Sequence, residues 1–203
     1  AGVSLLAGFA FALLYAVLGL PMGRIADTST RKRLILWGMV GWSFATALCG
    51  AARSATHLFL ARVGVGVGEA SLTPASYSMI GDLVPKERLG FAMSIYGIGA
   101  TLGVGLAMAL GGAIVQWAMT APTIDLPLFG EVTGWRAAFI LAGAPGIPLA
   151  ILFWLTVPEP ARKTAATTEQ ASFRQLLAHM RKHAWAFTAT LLSYSLAAIT
   201  IYA

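Results

Sequence analysis

Six long apolar runs dictate what this chain can become: residues 3–22, 34–52, 58–83, 91–117, 137–157 and 185–203. About 20 apolar residues cross a hydrocarbon core as a helix, because only a helix or a closed barrel pairs all its backbone groups where water is absent. With 58% hydrophobic and 11% charged residues and a mean hydropathy of +0.75, the chain lies outside the range of soluble domains. The expected class is all-α and polytopic.

The third run, LFLARVGVGVGEASLTPASYSMIGDL, carries Arg62 and Glu69 inside it. Each charge costs about 2.5–3.5 kcal/mol near the centre of a membrane helix, so neither is there without a use. At roughly 100° per residue, Arg62, Gly66, Glu69, Thr73 and Ser76 share one arc, while Ala61, Gly64, Gly68, Ser71 and Ala75 form a small-residue ridge opposite. One face is expected to pack closely and the other to meet something polar. Mutual neutralisation of the two charges is disfavoured by geometry. Their backbones lie about 10 Å apart along the axis, and the Arg62 side chain leans away from Glu69 toward the N-terminus. Each is expected to meet a neighbouring helix, water or a substrate.

A net charge of +6 would suit a nucleic-acid binder, but its distribution decides otherwise. Arg24, Arg31, Lys32 and Arg33 fall in one loop, Lys86 and Arg88 in another, and Arg162, Lys163, Arg174, Arg181 and Lys182 in a third. The intervening loops hold only Arg53 and Arg136. This alternation puts the basic loops in the cytoplasm and both chain ends outside, and leaves no basic patch for nucleic acid.

Other segments add detail. The first run has a small-residue ridge at Gly8, Ala12 and Ala16, with Phe9, Phe11 and Tyr15 as lipid or core contacts. In the fourth run Gly99, Gly103, Ala107 and Gly111 recur every four residues, which predicts a second close-packing face. Residues 118–134, without Lys or Arg, read as an outer loop, and Trp135 as an interfacial anchor. Pro145 and Pro148 predict kinks in the fifth run. Residues 172–182 predict an amphipathic surface helix with Phe173, Leu176, Leu177 and Met180 on one side. Cys49 reads as a buried small residue, and His179 and His183, four apart without a third ligand, as a solvated face rather than a metal site. No cofactor or metal is expected: GVGVGE lies inside a membrane helix, not at the strand-to-helix turn a dinucleotide site requires. The chain opens on an apolar run without Met and closes inside another, as a piece of a larger protein would.

The first basic loop, residues 19–33, reads GLPMGRIADTSTRKR. Gly23 permits close helix approach, and Asp27 can accept hydrogen bonds from Arg31 or from another helix N-terminus. GRIADTSTRKR resembles the loop between the second and third helices of the major facilitator superfamily, with Thr28 and Thr30 departing from the usual Arg or Lys and Gly. ARVGVGVGEASLTPASYSMIGDLVPKER is similar to the fourth helix of the spinster branch, as are GWRAAF at 134–139 and VPEPAR at 157–162. The antiporter Gly-Pro element is absent from residues 97–112.

The resemblance implies the N-terminal bundle of a twelve-helix transporter, from its second helix to the start of its seventh. Residues 1–157 would be the bundle without its first helix, 158–184 a cytoplasmic linker, and 185–203 the incomplete first helix of the C-terminal bundle, its partner half. It implies alternating access and a small amphipathic, lipid-like substrate such as a lysophospholipid or sphingoid phosphate. An acidic first-helix residue, which in the family works with the fourth-helix Arg and Glu, is not in this sequence. Glu69 is expected to carry protons and, with Arg62 and Thr73, to meet substrate. Gly23, Asp27, Arg31, Asp82 and Arg88 are expected to form a gating loop at the inner surface. Membrane lipids surround such a protein, and a bacterial inner membrane is its expected location. A drug or organic-anion carrier of the same superfamily and a non-transporting receptor or scaffold remain open. Nothing points to an enzyme, since no nucleophile–base pair or metal cluster lies at one depth.

Overall fold

The computed structural model describes residues 17–19, 21–120, 123–126, 130–162 and 173–202. Most of the first apolar run, with its ridge and aromatics, lies outside the described residues. By contacts the chain divides into two units, Ala1–Ala161 and Arg162–Ala203.

In the first unit residues 17–19 are helical, and helix α1 covers residues 21–28. The expected loop at 19–33 is thus mostly helical. Ala26 explains why, since it is buried with Ile35, Ala75 and Met79 in a small core. The hydroxyls of Thr28 and Ser29 donate back to Ile25 O at 3.3 and 2.6 Å, which ends α1. Thr30 is extended, and α2 runs over Arg31–Ala51.

Helix α2 is the hub. On one side it packs against α3, Ala55–Ala70, and α4, Leu72–Leu83. On the other it packs against α6, Gly134–Gly143, and α7, Gly146–Thr156. Backbones meet through small residues on both sides. A Cβ at Gly68 would lie 2.8 Å from Trp42 N and 2.9 Å from Gly38 O, and one at Gly64 would lie 3.1 Å from the Ala45 methyl. A Cβ at Gly50 would lie 2.5 Å from Arg136 O, and one at Gly143 2.6 Å from Ser43 O. The expected ridge is in place: Gly64 and Gly68 approach α2, and Ser71 and Ala75 are buried.

The single helix expected over 58–83 is instead two, broken at Ser71. Pro74 has no N–H for the Ala70 carbonyl and is best placed in the first turn of a new helix, so α4 starts at Leu72. Ser54 caps α3 by accepting from His57 N at 3.2 Å, and Ser71 donates to Gly68 O at 2.7 Å. Ser71 itself keeps helical angles, φ −77° and ψ −24°, so the ridge continues across the break.

A 3₁₀ turn at Lys86–Arg88 leads into α5, Leu89–Thr120. The expected close-packing face of α5 meets no partner among the described residues: a Cβ at Gly99, Gly103 or Gly111 finds nothing within 4 Å. A four-residue period marks a face without naming its partner. The expected outer loop also carries structure. Strands β1, Thr123–Leu126, and β2, Gly130–Thr133, pair antiparallel, with Gly130 at φ +66°. This small hairpin is the one departure from an all-α chain among the described residues. Between α6 and α7 the helix is interrupted at Ala144–Pro145, where both residues keep helical angles, while Pro148 sits in the first turn of α7.

Three described helical stretches are long and apolar enough to cross a membrane, Arg31–Ala51, Lys86–Trp117 and Gly134–Thr156. The second unit holds α8, Phe173–Lys182, and α9, Ala184–Tyr202, with His183 between them. In α8, Arg181 and Lys182 lie in the last turn.

Overpacking a tight seam costs about 1–3 kcal/mol. Gly68→Ala and Gly50→Ala should each lower the thermal unfolding midpoint of the detergent-purified protein. Gly90→Ala, where a Cβ meets nothing within 4 Å, should leave it unchanged or raise it.

Candidate functional site

Two sets of charged residues stand out, one at the ends of the helices and one part-way along α3. At the end that the charge pattern assigns to the cytoplasm, Arg31 opens α2 and is 1% exposed. Its Nε donates to Glu159 Oε1 at 3.0 Å, and Nη1 to Asp82 and to Ser78 Oγ at 3.0 Å. Nη2 donates to Pro160 O at 2.9 Å. The other Glu159 oxygen accepts Lys32 N at 2.6 Å, placing a carboxylate on the N-terminus of α2 where the helix dipole favours it. Lys32 Nζ lies 4.5 Å from the centre of the Trp154 ring. One guanidinium thus ties the inner ends of α2, α4 and α7.

The expected gating residues divide here. Arg31 and Asp82 meet. Arg31 turns to Asp82 and Glu159 rather than to Asp27, which is exposed in the last turn of α1. Gly23 makes no close approach, since a Cβ there meets nothing within 4 Å among the described residues. Arg88 is exposed on the 3₁₀ turn. Glu159 was missed by sequence reasoning although its PEPAR segment had been noted. An acid 128 residues from its partner leaves no local pattern.

The second set lies on the outward arc of α3 and α4. Arg62 and Glu69 are exposed, Thr73 and Ser76 half-buried, and Gly66 is buried. Among the described residues neither Arg62 nor Glu69 makes an ion pair or hydrogen bond, so the direct pair that geometry disfavoured is absent. Arg62 instead has an aromatic neighbour: its Cζ lies 5.1 Å from the centre of the Phe139 ring on α6. Phe139 meets Trp135 edge-on, with centroids 6.3 Å apart and planes at 87°. Arg136 lies over Trp135 at 5.2 Å and donates from Nη2 to Ala52 O at 3.0 Å, closing the end of α2. Tyr77 and Tyr96, 5.2 Å apart, join α4 to α5. No group of three or more His, Cys, Asp or Glu residues that could hold a metal occurs among the described residues.

The model of the Major Facilitator Superfamily matches residues 1–203. The chain belongs to this superfamily. Two solved structures of a bacterial homolog of the human lysosomal transporter Spinster match it. The inward-facing, occupied form gives a TM-score of 0.66 at 35% identity, covering 78% of this chain and 37% of that one. The inward-facing, unoccupied form gives 0.64 at 33% identity, covering 85% and 39%. The chain is therefore of the spinster-like branch, with the fold of the N-terminal half of a major facilitator transporter, and is an integral membrane protein. Among curated relatives, an MFS-type efflux pump of Mycolicibacterium smegmatis is 30% identical, covering 76% of this chain and 33% of its own length. A probable L-galactonate transporter of Escherichia coli K12 is 29% identical, covering 79% and 32%. The chain spans about a third of the length of these relatives.

Leaving half-buried Asp82 and Glu159 without the buried cation that pairs them costs up to about 3–5 kcal/mol, the range for a fully buried pair. Arg31→Met should lower the stability of the full-length transporter by that order in denaturant unfolding. Adding Asp82→Asn and Glu159→Gln to Arg31→Met should restore part of it.

Proposed function

We propose that the complete protein is a secondary active transporter of the bacterial inner membrane, neither an enzyme nor a scaffold, working by alternating access. Residues 1–157 form its N-terminal bundle, 158–184 the cytoplasmic linker, and 185–203 the start of the C-terminal bundle. Glu69 carries the coupled proton, and Arg62 meets an anionic group on the substrate, with Thr73 beside them. The observation that supports this most is the exposed pair on one arc of α3, neither charge in an ion pair or hydrogen bond among the described residues, opposite a ridge closed against α2. A carboxyl at that depth is less costly neutral than ionised, so it can take a proton on one side and release it on the other. The Arg31 cluster, which includes Asp82, serves as part of the inner gate, with Gly23 and Asp27 on α1 and Arg88 on the 3₁₀ turn.

The substrate class is amphipathic and anionic, a lysophospholipid or sphingoid phosphate, as the resemblance of the sequence to the spinster branch implies. A second reading, a soluble organic anion, draws support from the L-galactonate relative. Both use Arg62 in the same way. In proteoliposomes of the full-length protein, Glu69→Gln should abolish flux driven by an imposed pH gradient while the protein stays folded and inserted. Undiminished proton-driven flux would remove Glu69 from the mechanism. Tolerance of apolar residues at both 62 and 69 would favour a scaffold.

A further inference from the structure

We propose that Phe139 positions Arg62 for an oxyanion, so that the head group bound there carries two oxygens on one centre, a carboxylate or a phosphate. This rests on the assignment of Arg62 to the substrate. The guanidinium carbon stands 5.1 Å from the ring centre, within the range at which the negative ring face attracts a cation. A ring attracts a guanidinium as a cation, while the five N–H donors of the guanidinium point outward in its plane. The ring carries no lone pair that accepts an N–H hydrogen bond as a carboxylate does, so the contact restrains Arg62 while no oxygen acceptor takes its N–H groups. A protein carboxylate in place of the ring would have occupied them.

The two arginines of this bundle show the difference. Arg31 is buried, and its nitrogens are taken by Glu159, Ser78, Asp82 and Pro160. Arg62 is exposed, with its Cζ over one ring, and without a hydrogen bond or ion pair among the described residues. Phe139 is itself held in place. Trp135 meets it edge-on at 6.3 Å, Ala137 and Ile140 of the same helix are buried, and Arg136 fastens that turn to Ala52 O at 3.0 Å. A restrained, planar fork with a free edge matches two oxygens side by side. It offers nothing to a cationic head group, which Arg62 repels.

The test is isothermal titration calorimetry on the full-length, detergent-purified transporter, with oleoyl lysophosphatidate and L-galactonate as separate probes. Wild type should bind one of them, lysophosphatidate if the source is lipid and galactonate if it is a soluble acid. Arg62→Ala should lose that binding. Phe139→Leu should weaken it roughly 2- to 30-fold, the range a cation–ring contact spans, and Phe139→Tyr should restore it to within about twofold. Should leucine disturb folding, Phe139→Met removes the ring at similar volume and is read the same way. Loss of binding in Arg62→Ala with none in Phe139→Leu or Phe139→Met overturns the role of Phe139 and leaves that of Arg62 standing. Unchanged binding in Arg62→Ala overturns both. Failure of wild type to bind either probe overturns the oxyanion class.

Discussion

Lipid tails are as apolar as leucine, so the hydrophobic effect cannot hold these helices together; close approach and hydrogen bonding must. In the described bundle that approach is made along α2. Gly38 and Ala45 admit α3 through Gly68 and Gly64, while Ser43, Ala47 and Gly50 admit α6 and the start of α7. Every other placement follows from this seam. Because the small-residue ridge of α3 is committed to α2, the opposite arc, with Arg62 and Glu69, is turned away from it. Because α6 is committed to the other side, Phe139 comes within reach of Arg62. The Arg31 cluster then closes one end of the same seam, where α2, α4 and the exit from α7 converge.

Burial separates the two arginines by role. A guanidinium at 1% exposure with two carboxylates and the Ser78 and Pro160 oxygens around it fixes a geometry, and removing the guanidinium or its carboxylates leaves charge uncompensated. A guanidinium held over a ring, with no ion pair or hydrogen bond among the described residues, is still open to a new partner. The first kind suits the end of a bundle that moves as a body. The second suits a surface that binds and releases.

Much of this was legible in the sequence because it is periodic or local. The ridge at Gly64, Gly68, Ser71 and Ala75 follows from helical spacing, and the interruption at Pro145 from a missing N–H. The apolar runs and loop charges gave the membrane class. What stayed hidden depends on distance or on competition. Glu159 finds Arg31 across the whole bundle, and Phe139 finds Arg62 only because both helices pack on α2. Pro74 was on view, but helical periodicity persists through Ser71 and masks the break. Ala26 pulls the basic loop into α1 through a core whose other members lie far along the chain. The glycine spacing of α5 displays a face but not what covers it.

The claim on which the account turns is that the arc of α3 and α4 carrying Glu69 faces water. Single cysteines at 62, 66, 69, 73 and 76, and at 64, 68 and 75, in the full-length protein with Cys49→Ser, can be exposed in sealed vesicles to a membrane-impermeant thiol reagent. The account predicts that positions 69, 73 and 76 label and that 64, 68 and 75 do not. Labelling of 69 and 73 only by a lipid-soluble reagent would show that the arc faces the bilayer, and would contradict it.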